Sequence, residues 1–463
     1  MDTSLDTTVD ALGKGLVGAL WNASSAEEVN RLQKIAVEES RLGIPVLFGS
    51  THTHGYKTIF PIPLGMAATF DSALVQECAR IAKDEAVATG LLCDSLPHTP
   101  EKALSKKALD QAVRQVLRTK VDLGLFESPY VDANKANQTY YAPRHLAAAK
   151  KAALQAAVLL KNNGILPLHP TSLKTLLVTG SMAQAPLSQL GTQAPDGDSA
   201  FTITPLEALQ SRYSHQIRIV YEPSLDKAVE AARYAQAVLA VVGDTPEERS
   251  VLLPALHQTK KPVVAVVMAH NPLDLEADLP QCDALLFTFQ PGTQGGDALA
   301  DLLFGNEVPS GKLPISLPRE GDQAPLFPFG FGRSYTTFAY TNLHLATVQY
   351  GVSDTLSVCV DLTNTGSINA TEVPQLYLRQ TAPSQAAASM SSAASSVSSQ
   401  GLTSARLPQE LRSYTRVFLE AGQTRTVTMR LPLHPFAPGK YQLWIAPDSA
   451  TGEPVSFEIE AAG

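Results

Sequence analysis

Ala237-Val238-Leu239-Ala240-Val241-Val242-Gly243 carries no polar side chain and ends on glycine, which reads as a strand buried on both faces and followed by a loop. Similar runs flank it: Leu173-Lys174-Thr175-Leu176-Leu177-Val178-Thr179-Gly180 before, and Pro262-Val263-Val264-Ala265-Val266-Val267-Met268 and Ala284-Leu285-Leu286-Phe287-Thr288-Phe289 after. Helical spacing covers Ala228–Ala235, about Thr293 to Leu303, and a segment from about Leu146 through Leu160. Apolar strands alternating with helices predict a parallel sheet covered on both faces.

Beyond about Phe338 the hydrophobic period falls to two. Leu356-Ser357-Val358-Cys359-Val360-Asp361-Leu362 alternates, Asn364-Thr365-Gly366 turns, and Val373–Leu378, Thr424–Leu431 and Tyr441–Ile445 read as further strands of a β-sandwich. Residues 380–405, rich in Ser and Ala, read as a flexible loop. Upstream, residues 1–40 read as short helices and Ile44–Gly49 as a short buried strand. Leu74–Ala88 reads as a helix begun by Asp71 or Ser72 and stopped by Gly90. Ser105–Leu123 reads as a second helix, with Leu109, Val113, Val116, Leu117 and Val121 on one face and Gly124 at its end.

Composition narrows the function classes. The 463 residues are 44% hydrophobic and 17% charged, enough for two or three cores, since single cores stop growing near ~250–300 residues. The formal net charge of −8, from 36 basic and 44 acidic residues with no basic run, argues against a nucleic-acid partner. No apolar run reaches the ~18 residues of a membrane span. Met1-Asp2-Thr3-Ser4-Leu5-Asp6 lacks the basic start and apolar core of a signal peptide, so a soluble chain without a visible export signal is expected.

Cofactor chemistry finds no support. Cys78, Cys93, Cys282 and Cys359 form no CxxC pair and read as buried thiols. His52 and His54 suit one face of a strand or loop, but no HExxH and no acidic cluster accompanies them, so no metal is expected. Gly292-Thr293-Gln294-Gly295-Gly296 follows a strand and opens a helix, yet it lacks both the GxGxxG spacing and a Gly-Lys-Ser/Thr ending. Tight strand-to-helix packing explains its glycines, and no cofactor is expected. Gly330-Phe331-Gly332 reads as a loop at a domain border.

Four stretches carry a family likeness. They are Arg41-Leu42-Gly43-Ile44-Pro45-Val46-Leu47-Phe48 with His54-Gly55 and Thr58–Gly65; Val158-Leu159-Leu160-Lys161-Asn162 with Leu166-Pro167-Leu168; Pro291–Gly296 through Leu303-Phe304-Gly305 to Pro309–Pro314; and Phe327–Gly332 with Ser334–Phe338. Together these resemble glycoside hydrolase family 3, the β-glucosidases, and most closely the bacterial periplasmic type with a fibronectin type III-like C-terminal domain.

That resemblance implies a (β/α)-barrel, an α/β sandwich domain and a fibronectin III-like β-sandwich. The fold class expected here is α/β plus all-β, with a truncated barrel remnant at 1–145, the α/β sandwich domain at 146–335 and the fibronectin-like domain at 336–463. The resemblance also implies a retaining mechanism with an aspartate nucleophile from the barrel and a glutamate acid/base from the second domain. Such chemistry needs two carboxylates ~5–5.5 Å apart, one of them protonated near neutral pH.

The chain departs from that pattern. Only about 145 residues precede the second domain, whereas a (β/α)8 barrel needs ~200–250. The middle of the barrel is missing, and with it the family's Arg, its Lys-His pair and the Ser-Asp segment of the nucleophile. Where the family carries an Asp three residues before its His-Gly, Thr51 stands here. A hydroxyl cannot accept two hydrogen bonds from a sugar diol as a carboxylate does. His54 reads either as a remaining sugar contact or as part of the loop's own fold. In the acid/base loop, Asp244-Thr245-Pro246-Glu247-Glu248-Arg249-Ser250, the resemblance puts Thr245 at the glutamate's position. Glu247 substitutes only if the backbone re-routes; otherwise it is a solvated acidic helix start. Asp94 follows a possible barrel strand, as a candidate nucleophile or as a loop or capping residue.

The expected function is therefore a β-glucosidase-like glycoside hydrolase by descent, weakly active or inactive as this chain, with a β-glucoside or oligosaccharide as partner. A non-catalytic carbohydrate-binding or scaffold protein, or a partial gene product, stays open beside it. Relatives are periplasmic or extracellular; the compartment and oligomeric state of this chain stay open.

Overall fold

In the computed structural model, which describes residues 5–92, 106–319, 321, 324–383 and 409–460, the chain opens with α1 (Leu5–Gly13), β1 (Ala19–Trp21), α2 (Ala26–Lys34), a π-helical turn (Ile35–Glu39), β2 (Leu47–Gly49), α3 (Pro63–Ala68) and α4 (Ser72–Thr89). The ends of α4 follow from local chemistry. The Asp71 carboxylate accepts the Leu74 backbone N–H at 3.0 Å, and Gly90 takes the left-handed conformation at φ 94° that closes the helix. Strand β1 corrects the all-helical reading of residues 1–40. Its three residues hold no usable period, and its pairing to β2, parallel from Ala19–Leu47 to Trp21–Gly49, creates it. On the opposite edge of β2, the Leu92 N–H donates to the Phe48 carbonyl at 2.9 Å. Among the described residues this sheet has two strands and closes no barrel.

Next come α5 (Lys106–Asp122), α6 (Ala133–Thr139) and α7 (Pro143–Ala156). Helix α5 forms where its period predicts, but its apolar stripe is not its packing face. Leu109, Val113 and Val121 are 48%, 49% and 55% exposed, while Lys120 is buried. Helix α7 stops short of the predicted end. Ala157 turns extended, and Val158–Asn162 becomes strand β3, antiparallel to residues 284–287. An apolar run that could serve either state is decided by its sheet partner.

Strands β3 (Val158–Asn162), β4 (Thr175–Thr179), β5 (Arg218–Tyr221), β6 (Ala237–Val242), β7 (Val263–Val267) and β8 (Ala284–Phe287) form one sheet in the order β3-β8-β7-β6-β4-β5. Every neighbour pair is parallel except β3–β8. Between them lie α8 (Pro186–Leu190), α9 (Pro205–Tyr213), α10 (Leu225–Ala232) and α11 (Pro246–Gln258), and α12 (Gly295–Phe304) follows β8. Alternate residues sort onto two cores. Val238, Ala240, Val242 and Val263 pack with α10 and α11 on one face. Leu239, Val241, Val264 and Val266 pack with α9 and α12 on the other. From β4 the chain steps outward to β5 on one side, then returns past β4 to β6 on the other. The crevice between the carboxyl ends of β4 and β6 is thus a topological switch point.

The C-terminal part is all β. A five-stranded sheet (349–351, 455–460, 439–446, 375–383, 410–414) and a three-stranded sheet (424–432, 355–364, 338–345) enclose one core with Leu356, Val358, Leu376, Leu443 and Phe457. The predicted loop starts later than residue 380, because the 375–383 strand runs on to pair Pro383 with Gly439; residues 384–405 lie outside the described residues. Arg416 ties this part to the rest, donating to the Thr69 carbonyl at 2.5 Å and to Ser310 Oγ at 2.7 Å. The Cys78 and Cys282 thiols are buried and pushed up to about 12 by desolvation, whereas Cys359 is half-buried. Cys93 lies outside the described residues. No described helix is long and apolar enough to cross a membrane.

Candidate functional site

The loop after β2 brings the first group of predicted residues together. Gly55, at φ 136°, lets the chain double back: a Cβ there would lie 2.2 Å from the Thr58 carbonyl oxygen. The Phe60 N–H donates to the His54 carbonyl at 2.9 Å, and His54 Nδ1 donates to the Phe60 carbonyl at 2.8 Å. With Nδ1 protonated for that bond, Nε2 is a bare acceptor; it is buried without a partner. Desolvation holds the His54 pKa below the usual histidine value, so the ring is neutral near pH 7. Thr51 is exposed, and its hydroxyl accepts from Trp21 Nε1 at 3.2 Å.

Two clamps fix this loop. From below, the fully buried Glu85 carboxylate accepts the backbone N–H groups of Lys57 (3.0 Å), Thr58 (2.8 Å) and Tyr141 (3.3 Å), the Thr58 hydroxyl (2.7 Å) and His145 Nδ1 (2.9 Å). Arg144 Nε donates to His145 Nε2 at 3.2 Å, so the imidazole donates on one side and accepts on the other, as its neutral form does. From above, Thr293 Oγ accepts the Ile59 N–H at 2.9 Å, and the Thr293 N–H donates to the Ile59 carbonyl at 2.9 Å. Here the glycine-rich stretch does its packing work. A Cβ on Gly292 would lie 2.4 Å from the Ile59 oxygen, and one on Gly296 2.2 Å from the Thr204 oxygen. These glycines permit backbone-to-backbone approach.

Beside the loop runs an apolar cleft of about 690 Å³, bordered by His52, His54, Phe60, Met66, Cys78 and Ala82. In the same loop, Lys57 lies on the Tyr56 ring at 4.9 Å and the Tyr140 ring at 5.8 Å, and His52 meets Tyr56 edge to face at 5.1 Å. Asp196 approaches this group from the loop after α8. Burial raises its carboxyl pKa above the usual range, while Lys57 and His52 pull it back. Sequence reasoning passed over Asp196 because no local pattern sets it beside residues so distant in the chain.

The loop after β6 holds the second group. Glu247 stands exposed in the first turn of α11, and its carboxylate makes no hydrogen bond among the described residues. Thr245, which the family resemblance sets at the glutamate's position, is the N-cap residue of α11, and its hydroxyl accepts no capping hydrogen bond. Arg249 turns inward to Asp278 at 2.8 Å and to the Gly243 and Asp244 carbonyls. Asp244 accepts the His270 backbone N–H at 3.1 Å and pairs with its Nδ1. These two residues, at the carboxyl ends of β6 and β7, line the switch-point crevice of about 530 Å³ together with Gly191 and Gln290. Their place directly after predicted parallel strands was the signal that could have found them. Asp94 lies outside the described residues. The structure thus brings Thr51 and His54 into one loop and leaves Glu247 on a separate helix start. Among the described residues no group of three or more His, Cys, Asp or Glu could hold a metal ion.

Two family models match: the Glycosyl hydrolase family 3 C-terminal domain over residues 157–335 and the Glycosyl hydrolase family 3 N terminal domain over residues 4–99. The chain is 29% identical over 449 residues to the periplasmic beta-glucosidase of Salmonella typhimurium, covering 76% of this chain and 55% of that protein. It is 33% identical over 334 residues to the lysosomal beta glucosidase of Dictyostelium discoideum, covering 58% and 40%. The chain spans about half the length of the curated relatives it matches. Its fold is similar to that of a beta-glucosidase from Listeria innocua crystallised with gluconolactone, at a TM-score of 0.82 and 20% identity over 96% of this chain and 92% of that one.

Proposed function

The chain belongs to glycoside hydrolase family 3, and from that premise we propose that it is a β-glucoside- or oligosaccharide-recognising member with little or no hydrolysis of its own. Residues 1–145 are taken as a truncated barrel remnant, 146–335 as the α/β sandwich domain and 336–463 as a fibronectin III-like domain. The two family matches and the two-sheet C-terminal core support that division.

The observation that carries the reading is the position of Glu247. A retaining glycosidase sets its two carboxylates ~5–5.5 Å apart and keeps one protonated. Glu247 is exposed on a helix start, and in the loop after β2 Thr51 stands where a carboxylate would grip a sugar. Among the described residues, Asp196 has the raised carboxyl pKa that suits an acid, with Lys57 and His52 rather than a second carboxylate beside it. His54 Nε2 and the cleft beside it offer an acceptor and an apolar wall to a sugar ring.

The test is hydrolysis of an aryl β-glucoside by the monodisperse chain, beside Glu247→Ala, Asp94→Ala and Asp196→Asn. The expected outcome is no turnover above buffer from a protein that melts cooperatively. Turnover that disappears in any of these variants overturns the proposal and names the working carboxylate.

A further inference from the structure

We infer that α5 and the turn after it form a docking surface for an anionic phospholipid bilayer, on which the chain lies without spanning it. Helix α5 is 17 residues long and is anchored at its last turn: of its described side chains only Lys120 is buried, and Leu125 is buried just beyond. Leu109, Val113 and Val121 stand exposed on the helix, and Leu123 and Phe126 follow at 42% and 44% exposure. Apolar side chains exposed this densely mark an interaction surface.

Charge selects the partner. Lys106, Lys107, Arg114 and Arg118 are exposed on the same helix, against Asp110 and Asp122. This local excess is positive, in a chain whose net charge is −8. Lys106, Lys107 and Arg114 line an open depression of about 600 Å³ together with Asp110 and Gln111. Cations grouped there give phosphate headgroups a seat beside Leu109 and Val113, the combination by which amphipathic helices lie in a membrane interface. Each cation near an anionic surface adds to the attraction. Long basic side chains can also lay their stems on the apolar side and keep their charges among the headgroups.

A second copy fits this surface less well. Two α5 helices laid face to face would bring Lys106, Lys107, Arg114 and Arg118 toward their own counterparts, and like charges set together in this way repel. The same charges keep α5 from crossing a bilayer, which needs ~20 predominantly apolar residues.

The inference is independent of sugar recognition and of hydrolysis. It is tested by flotation of the full chain with vesicles of phosphatidylglycerol and phosphatidylcholine in equal parts and, separately, of phosphatidylcholine alone, beside sedimentation velocity of the lipid-free protein. The wild type should float with the anionic vesicles and not with the neutral ones. Lys107→Gln combined with Arg114→Gln should weaken binding about thirtyfold, as loss of two cations facing an anionic surface does. Leu109→Ser combined with Val113→Ser should weaken it at least about tenfold through lost apolar burial. All four positions are exposed, so the melting temperature should stay unchanged. Should either pair fold poorly, Phe126→Trp takes its place, and its added emission should move to the blue on anionic vesicles alone. No flotation by folded wild-type protein, equal flotation with neutral vesicles, full affinity in either folded pair, or an unmoved Phe126→Trp emission would each overturn the assignment. A dimer that Leu109→Ser with Val113→Ser dissolves, in protein that does not float, would overturn it too and give the surface to a second copy.

Discussion

Lys120→Met should stabilise the N-terminal part of the chain at pH 7. Lys120 is 2% exposed, and its Nζ lies 3.9 Å from where a Cβ on Gly18 would sit, beside the start of β1. Burial alone pushes its pKa down to about 8. An unfolded lysine titrates near ~10.4, so below pH 8 folding forces a charge into a site that disfavours it by roughly 3 kcal/mol, at ~1.4 kcal/mol per pH unit. Methionine keeps the apolar stem and removes that cost. The sign follows from proton counts. Between about pH 8 and ~10.4 the unfolded state holds a proton the folded state has lost, so wild-type stability rises with pH across that window while the variant lacks this increment. Urea unfolding followed by Trp21 fluorescence in a Trp444→Phe background reports on β1 directly, since the chain has two tryptophans. Lys120→Met should have the higher midpoint at pH 7, and the difference should shrink toward pH 10. A gap that is absent at pH 7, or that does not change with pH, would refute the burial argument.

Other consequences are equally concrete. Removing the carboxylate that collects the Lys57, Thr58, Tyr141 and His145 donors leaves them buried and unpaired, so Glu85→Ala should cost about 3–5 kcal/mol in chemical denaturation. The lowered pKa of His54 means that its unfolded form takes up a proton first as pH falls. Wild-type stability should therefore drop below about pH 6.5 relative to His54→Gln, a difference visible in parallel melts at pH 7.5 and pH 5.5.

Much of this architecture can be read from local chemistry. The cap residues Asp71 and Gly90 mark α4, and the apolar runs at 237–242, 263–267 and 284–287 are strands because nothing polar interrupts them. What escapes is whatever a distant partner decides. Val158–Asn162 continues an apolar helix in sequence and becomes an edge strand only because residues 284–287 pair with it. The stripe of Leu109, Val113 and Val121 has the right period for burial, but the helix packs on the side that buries Lys120. At the site, the His52/His54 pair and the loop after β6 were visible as motifs. Asp196, Gln290 and Glu85 were not, because their roles come from approach across the fold. The carboxylate of Glu85 serves a loop 27 residues upstream, a relation no periodicity encodes.

The clasp between Ile59 and Thr293 joins residues 234 apart in the chain. At a synthesis rate of ~5–20 residues per second, the loop after β2 leaves the ribosome on the order of 10–50 s before its upper partner exists. Through that interval Ile59 and Phe60, both buried in the finished fold, lack the segment around Gly292 that packs against them. A growing chain of this kind is a natural client for holding chaperones, and slowing translation between codons 60 and 293 should raise its losses to aggregation.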